Sequence, residues 1–142
     1  MTAPRPTSVR IVEVGPRDGL QNESRPISTA DKLAYIDRLV AAGLTQIEAT
    51  SFVHPRAVPQ LADAMEVARG LPPDPGVVFS ALVPNARGLE RAMESGVRRV
   101  AVFTAASDSF TQKNIQMSGD ESLDVFAPVV SDALAAGLTV RG

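Results

Sequence analysis

An arginine and an aspartate stand side by side at Arg17-Asp18, three residues beyond an apolar run, and a glutamate, Glu48, stands inside a second such run. A fixed cation next to carboxylates can stabilise oxyanion charge, and a carboxylate oxygen can hold a hard divalent cation. Charges at the ends of buried strands need such a reason, because unpaired buried charge is disfavoured. A structural ion pair closing a strand–loop corner would account for the same residues. The run that leads into the pair, Val9–Val14, is short and rich in β-branched residues, which predicts a buried strand. Gly15-Pro16 ends it and sets Arg17-Asp18 in a glycine-punctuated turn. Alternation places Glu13 and Arg17 on one side of this strand, with Val12 and Val14 on the other.

The elements that must position these residues follow in regular order. Ser28-Thr29-Ala30-Asp31 opens a helix with Leu33, Ile36, Leu39 and Val40 as its apolar stripe, and Ala42-Gly43 stops it. Thr45–Thr50 reads as a strand with Ile47 and Ala49 on one face and Glu48 and Thr50 on the other. A helix over Gln60–Arg69 ends at Gly70, and the rigid turn of residues 72–76 leads to a strand over Val77–Leu82. Asn85 caps a helix with Leu89, Ala92 and Met93 inward and Gly96 as its stop. A strand over Arg99–Phe103 gives way to a polar loop from Thr104 to Met117. Ser118 to Glu121 form a capping box for a helix to about Ala136, in which Pro128 predicts a kink or broken turn. Leu138–Val140 begins a further strand.

Composition narrows the class. A chain of 142 residues suffices for one cored domain, and 44% hydrophobic content with few aromatics suits a globular protein. Fourteen Lys+Arg against sixteen Asp+Glu, without a basic block, speak against nucleic acid. The absence of cysteine excludes disulfides, a thiol nucleophile and a zinc–thiolate site within these residues, and accords with a cytoplasmic setting. No apolar run reaches membrane-spanning length, so no membrane partner is expected. Residues 1–8, with two prolines and no apolar segment, read as a flexible tail ahead of a domain over residues 9–142.

Three helix ends repeat one pattern: A-A-G-L-T at 41–45, E-S-G-V-R at 94–98 and A-A-G-L-T at 135–139. Repeated βα units argue for a parallel sheet with covering helices. No G-x-G-x-x-G follows the first strand, as a dinucleotide-binding doubly wound sheet would favour. Polar residues instead fall at the carboxyl ends of strands (Arg17, Asp18, Glu48, Thr50, Arg141), where barrel enzymes keep their chemistry. The expected fold is therefore α/β, of the (β/α)₈ TIM-barrel class. A full barrel takes roughly 250 residues, and this chain holds four βα units and the start of a fifth strand.

V-G-P-R-D-G-L-Q-N-E at 14–23, joined to I-E-A-T-S-F-V-H-P-R-A-V-P-Q at 47–60, resembles the 3-hydroxy-3-methylglutaryl-CoA lyase family. F-T-A-A-S-D-S-F-T-Q-K-N-I at 103–115 and V-R-G at 140–142 extend the likeness over nearly all of the chain after Ser8. The V-G-P before Arg17 and the E-A-T-S-F after Ile47 favour this family over related condensing synthases, which share R-D-G. The resemblance implies the amino-terminal half of a TIM-barrel lyase, pyruvate carboxyltransferase-like, that splits 3-hydroxy-3-methylglutaryl-CoA into acetyl-CoA and acetoacetate with Mg²⁺ or Mn²⁺. It also implies a place in leucine degradation and ketone-body metabolism.

By the same resemblance Asp18 is the metal ligand, Arg17 is catalytic and faces the acyl-CoA substrate, and Glu48 is a catalytic glutamate. Glu13 and Arg141 match charged positions that orient the reacting residues through ion pairs. Family metal ligands (a His-x-His pair and an asparagine) and a catalytic cysteine have no counterpart here. His54 is expected exposed or hydrogen-bonded in its loop. Lys113 and Asn114 could reach the CoA end, or belong to an ordinary polar loop. Met65 and Met93 fit helix cores.

Three functional readings remain: the lyase, a Claisen-type acyl-CoA condensing synthase of the isopropylmalate or homocitrate kind, and a non-catalytic half-barrel. Open strand edges invite a homo-oligomer or association with a missing carboxy-terminal half.

Overall fold

The computed structural model describes residues 5–142. Of the tail expected over residues 1–8, residues 1–4 lie outside the described residues, and residues 5–8 are exposed. Helix α1 (Thr29–Ala41) begins where Ser28 accepts a hydrogen bond from the Asp31 amide. Strand β1 (Gln46–Ser51) follows, then a 3₁₀ turn at Pro59–Leu61 and helix α2 (Ala64–Arg69). Next come β2 (Val78–Leu82), α3 (Ala86–Ser95) and β3 (Arg99–Ala101). Helices α4 (Asp108–Ile115) and α5 (Gly119–Ala135) lead into β4 (Thr139–Arg141).

The strands lie in the order β1-β2-β3-β4, all parallel. Sequential parallel pairing through intervening helices is what repeated βα units produce. Ala81, Val83, Val100 and Val102 pack with Leu89 and Ala92 of α3 and Phe126 and Val129 of α5 in the larger core. A second cluster joins Ile36 of α1, Ala49 and Val67. The helices thus cover one face of the sheet. Alternation puts Glu48, Ser80, Arg99, Thr139 and Arg141 on the other face.

The three repeated helix ends adopt one geometry. Gly43, Gly96 and Gly137 have φ of +91°, +88° and +77°, the left-handed region open to glycine. After α1 the Leu44 amide bonds to Leu39 and Gly43 to Val40; after α5 Leu138 bonds to Ala133 and Gly137 to Leu134. Both are Schellman closures, which use otherwise orphaned carbonyls and turn the chain directly into the next strand.

Several expectations need correction. The strand expected over Val9–Val14 shrinks to a single parallel bridge between Glu13 and Ile47. Val9 and Ile11 are 84% and 72% exposed, because this segment lies at the edge of the sheet with little packed over it. Arg17 does not continue a strand alternation, since Gly15–Gly19 form a π-helical turn. The helix expected over Gln60–Arg69 is divided into the 3₁₀ turn and α2. The polar loop expected at 104–117 contains α4, which has no long apolar stripe to announce it. Strand β3 ends at Ala101, leaving Phe103 beyond it. Met93 is 38% exposed rather than inward, whereas Met65 packs against the larger core. Helix α5 is not broken at Pro128.

Candidate functional site

Glu48 sits in β1 with no solvent exposure, just before a register shift between Glu48 and Thr50. Such a bulge re-aims side chains and is frequent beside functional sites. Both its carboxylate oxygens are engaged. Arg17 Nε donates to Oε1 at 2.6 Å, and Arg141, from the carboxyl end of β4, donates to Oε2. Arg17 Nη1 donates to Asp18 Oδ1 at 2.8 Å. Two arginines and two carboxylates therefore form one chain of opposite charges, Asp18–Arg17–Glu48–Arg141. Mutual pairing and charge-assisted hydrogen bonds make the burial of Glu48 tolerable.

The π-helical turn is what brings Arg17 to this place. The Asp18, Arg17 and Gly19 amides all bond back to the Val14 carbonyl, winding the backbone tightly at the end of the first segment. Glu13 Oε1 accepts the Gly15 amide at 2.6 Å and so braces the start of the turn. A side chain at Gly15 would collide with the Tyr35 hydroxyl and the Glu13 carboxylate, at 2.5 and 2.7 Å from a Cβ. Of the two residues expected to orient the site by ion pairing, Arg141 does pair, with Glu48; Glu13 instead braces a backbone amide.

Arg17 and Asp18 face a cleft of about 460 Å³ whose walls include Val53, Val58, Phe103, Phe110, Asn114 and Met117. The apolar wall was not foreseen. Phe110 and Met117 come from the region of α4, whose helical character the sequence did not announce. Asn114 lines the cleft, whereas Lys113 does not. His54 is exposed and its Nδ1 accepts the Arg56 amide at 3.2 Å, as expected of a loop imidazole. A wider groove of about 650 Å³ lies at the opposite end, between Ser8–Ile11 and Gly43–Gln46, away from these charges.

Asp18 is the only member of the cluster well placed for a metal. Its side chain is 52% exposed, and only Oδ1 is occupied, by Arg17. Among the described residues no three His, Cys, Asp or Glu side chains converge on a point that could hold an ion. The donors present thus amount to one carboxylate, suited to a hard cation but not a closed site.

A parallel sheet with helices on one face, polar side chains on the other and its charges at the carboxyl ends of the strands is consistent with the first βα units of a (β/α)₈ barrel. The chain belongs to the HMGL-like family, whose model matches residues 8–142. It is 54% identical over 137 residues to 3-hydroxy-3-isohexenylglutaryl-CoA/hydroxy-methylglutaryl-CoA lyase of Pseudomonas aeruginosa, covering 96% of this chain and 46% of that one. Hydroxymethylglutaryl-CoA lyase of Bacillus subtilis is 51% identical, with 97% and 46% covered. The crystal structure of the Pseudomonas aeruginosa hydroxymethylglutaryl-CoA lyase superposes with a TM-score of 0.91 at 54% identity, covering 96% of this chain and 46% of that one. An HMG-CoA lyase of Acinetobacter baumannii, solved with coenzyme A and 3-methylmalate, gives a TM-score of 0.85 at 33% identity, covering 92% of this chain and 43% of the other. The chain spans about half the length of the relatives it matches.

Proposed function

We propose that these residues form the amino-terminal part of a hydroxymethylglutaryl-CoA lyase. The observation that carries this reading is the Asp18–Arg17–Glu48–Arg141 chain of charges opening onto an apolar cleft. In such cleavage the tertiary hydroxyl loses its proton, the bond between C2 and C3 breaks, and the electron pair passes to the thioester enolate, which takes a proton to become acetyl-CoA. Acetoacetate is the other product.

Arg17 offers five N–H donors, of which Nε and one on Nη1 are committed to Glu48 and Asp18. The remaining donors are held in a fixed fork, ready for the oxygen on which enolate charge develops. Glu48, gripped on both oxygens, holds that fork in place and does not take the proton. A divalent cation (Mg²⁺ or Mn²⁺), held by Asp18 together with donors outside these residues, would polarise the substrate oxygens. The proton-accepting base is likewise outside the set assembled here. A cytoplasmic setting and a role in leucine degradation and ketone-body metabolism belong to the same proposal. Among the described residues no helix is long and apolar enough to cross a membrane. The relatives reported above carry lyase names, so the condensing-synthase alternative is not carried forward.

The edge segment at Val9–Ile11 favours association with the rest of a barrel or with a second copy. Acetoacetate release from 3-hydroxy-3-methylglutaryl-CoA with Mg²⁺ tests the proposal, on the 142-residue chain and on the same chain joined to the remainder of the Pseudomonas aeruginosa relative. Turnover is expected only from the joined protein, since members of one catalytic unit do not contribute additively. Arg17→Met should lower that turnover by about a hundredfold or more. A joined, folded protein that releases no acetoacetate would overturn the lyase reading; activity of the short chain alone would overturn the claim that half a site is insufficient.

A further inference from the structure

Lys32 occupies a place that ordinary physics disfavours. It lies in the first turns of α1, where the helix dipole opposes a cation, and it is only 4% exposed. Its ammonium donates to Asp63 Oδ1 and to the Gln60 carbonyl, each at 2.5 Å, and Thr29 Oγ1 donates to the other Asp63 oxygen at 2.6 Å. The Gln60 side chain then crosses to the Glu23 carbonyl at 2.9 Å, and neighbouring Asn22 donates to the Asp18 carbonyl at 2.7 Å. A continuous line of hydrogen bonds and two covalent neighbours therefore runs from a buried ammonium to the backbone of Asp18. Val53, Ala57 and Val58, in the loop that Gln60 follows, wall the cleft that Arg17, Asp18 and Gln21 face.

We propose that Lys32 is a positioning residue: through Gln60 it locks the loop carrying Asp18 against the loop that walls the cleft. The catalytic part of this statement rests on the lyase reading; the mechanical part does not. A lysine is suited to the task because its three donors can hold a carbonyl and a carboxylate at once. Its burial is tolerated because Asp63 compensates the charge.

Amide hydrogen exchange and steady-state kinetics on the chain joined to the remainder of the Pseudomonas aeruginosa relative, in wild type, Gln60→Ala and Lys32→Met, test this. Gln60→Ala removes only the exposed crossing bond and leaves the Lys32–Asp63 pair whole, so it keeps the fold even if Lys32→Met does not. Exchange at the Asn22 and Glu23 amides, which bond to Gly19 and Leu20, should accelerate about fivefold in Gln60→Ala while α5 amides stay unchanged. Where wild type splits 3-hydroxy-3-methylglutaryl-CoA, kcat/KM should fall by about the same factor, with thermal unfolding unmoved. Unchanged exchange at these two amides in Gln60→Ala or in a folded Lys32→Met protein, or acceleration spread evenly over the protein in Gln60→Ala, would overturn the proposal. If exchange responds and wild type shows no cleavage, the loop lock stands and the lyase reading fails.

Discussion

Replacing Glu48 with glutamine probes the centre of the site by exchanging a single heavy atom. The amide retains one acceptor but turns the second oxygen into a donor, which then confronts an arginine N–H where a carboxylate had accepted two charge-assisted bonds. Breaking a buried pair by removing one partner typically costs about 3–5 kcal/mol. The low end applies here. Arg141 is 42% exposed and can turn to water, while Arg17, 17% exposed, keeps Asp18. Glu48→Gln should therefore destabilise by about 3 kcal/mol. Arg141→Met leaves Glu48 paired to Arg17 and removes a half-exposed partner, so about 1 kcal/mol is expected. Urea unfolding followed by far-ultraviolet circular dichroism measures both, read as a shift in midpoint at constant slope. A Glu48→Gln protein within about 0.5 kcal/mol of wild type would refute the reasoning, because surface substitutions already give that much. So would an Arg141→Met loss equal to that of Glu48→Gln, which would place the energy in the outer pair and not in the buried carboxylate.

Asp18→Asn, at a half-exposed position, should leave the unfolding midpoint unchanged yet abolish Mg²⁺-dependent acetoacetate release by the completed barrel; retained metal-dependent turnover would remove Asp18 from the ligand set. Gly137→Ala forces a side chain into the left-handed region and should destabilise by about 1–2 kcal/mol in thermal unfolding, since a Cβ there meets no neighbour and only backbone strain changes. Hydrogen bonds from the Ser118 backbone and side chain hold the Glu121 carboxyl below its usual range. A depressed folded value means that this contribution to stability is complete above the ordinary glutamate range and is lost as pH falls through the lowered value. Acid unfolding of Glu121→Gln should lack that loss, and identical acid profiles for mutant and wild type would count against the capping box.

Much of the scaffold was readable from neighbours in sequence. Ser28, Asn85 and Ser118 cap helices within three residues of themselves, and Gly43, Gly96 and Gly137 end them. These signals act through backbone torsions and local hydrogen bonds, so no tertiary partner is needed to express them. The placing of Glu48 on a strand was likewise written in the alternation of residues 45–50.

Tertiary structure decided the rest. Helix α4 forms over Asp108–Ile115 without a clear apolar stripe; buried Thr111 and the bond from the Gly119 amide to Asp108 seat it against α5. Val9 and Ile11 have strand character, yet edge position leaves them exposed. Lys32 is not among the apolar stripe residues of its helix, and its partner Asp63 lies 31 positions away. Arg17 and Arg141 reach Glu48 across separations of 31 and 93 residues. Composition and periodicity act over one or two helical turns, whereas these pairs exist only once parallel strands have stacked their carboxyl ends at one side of the sheet.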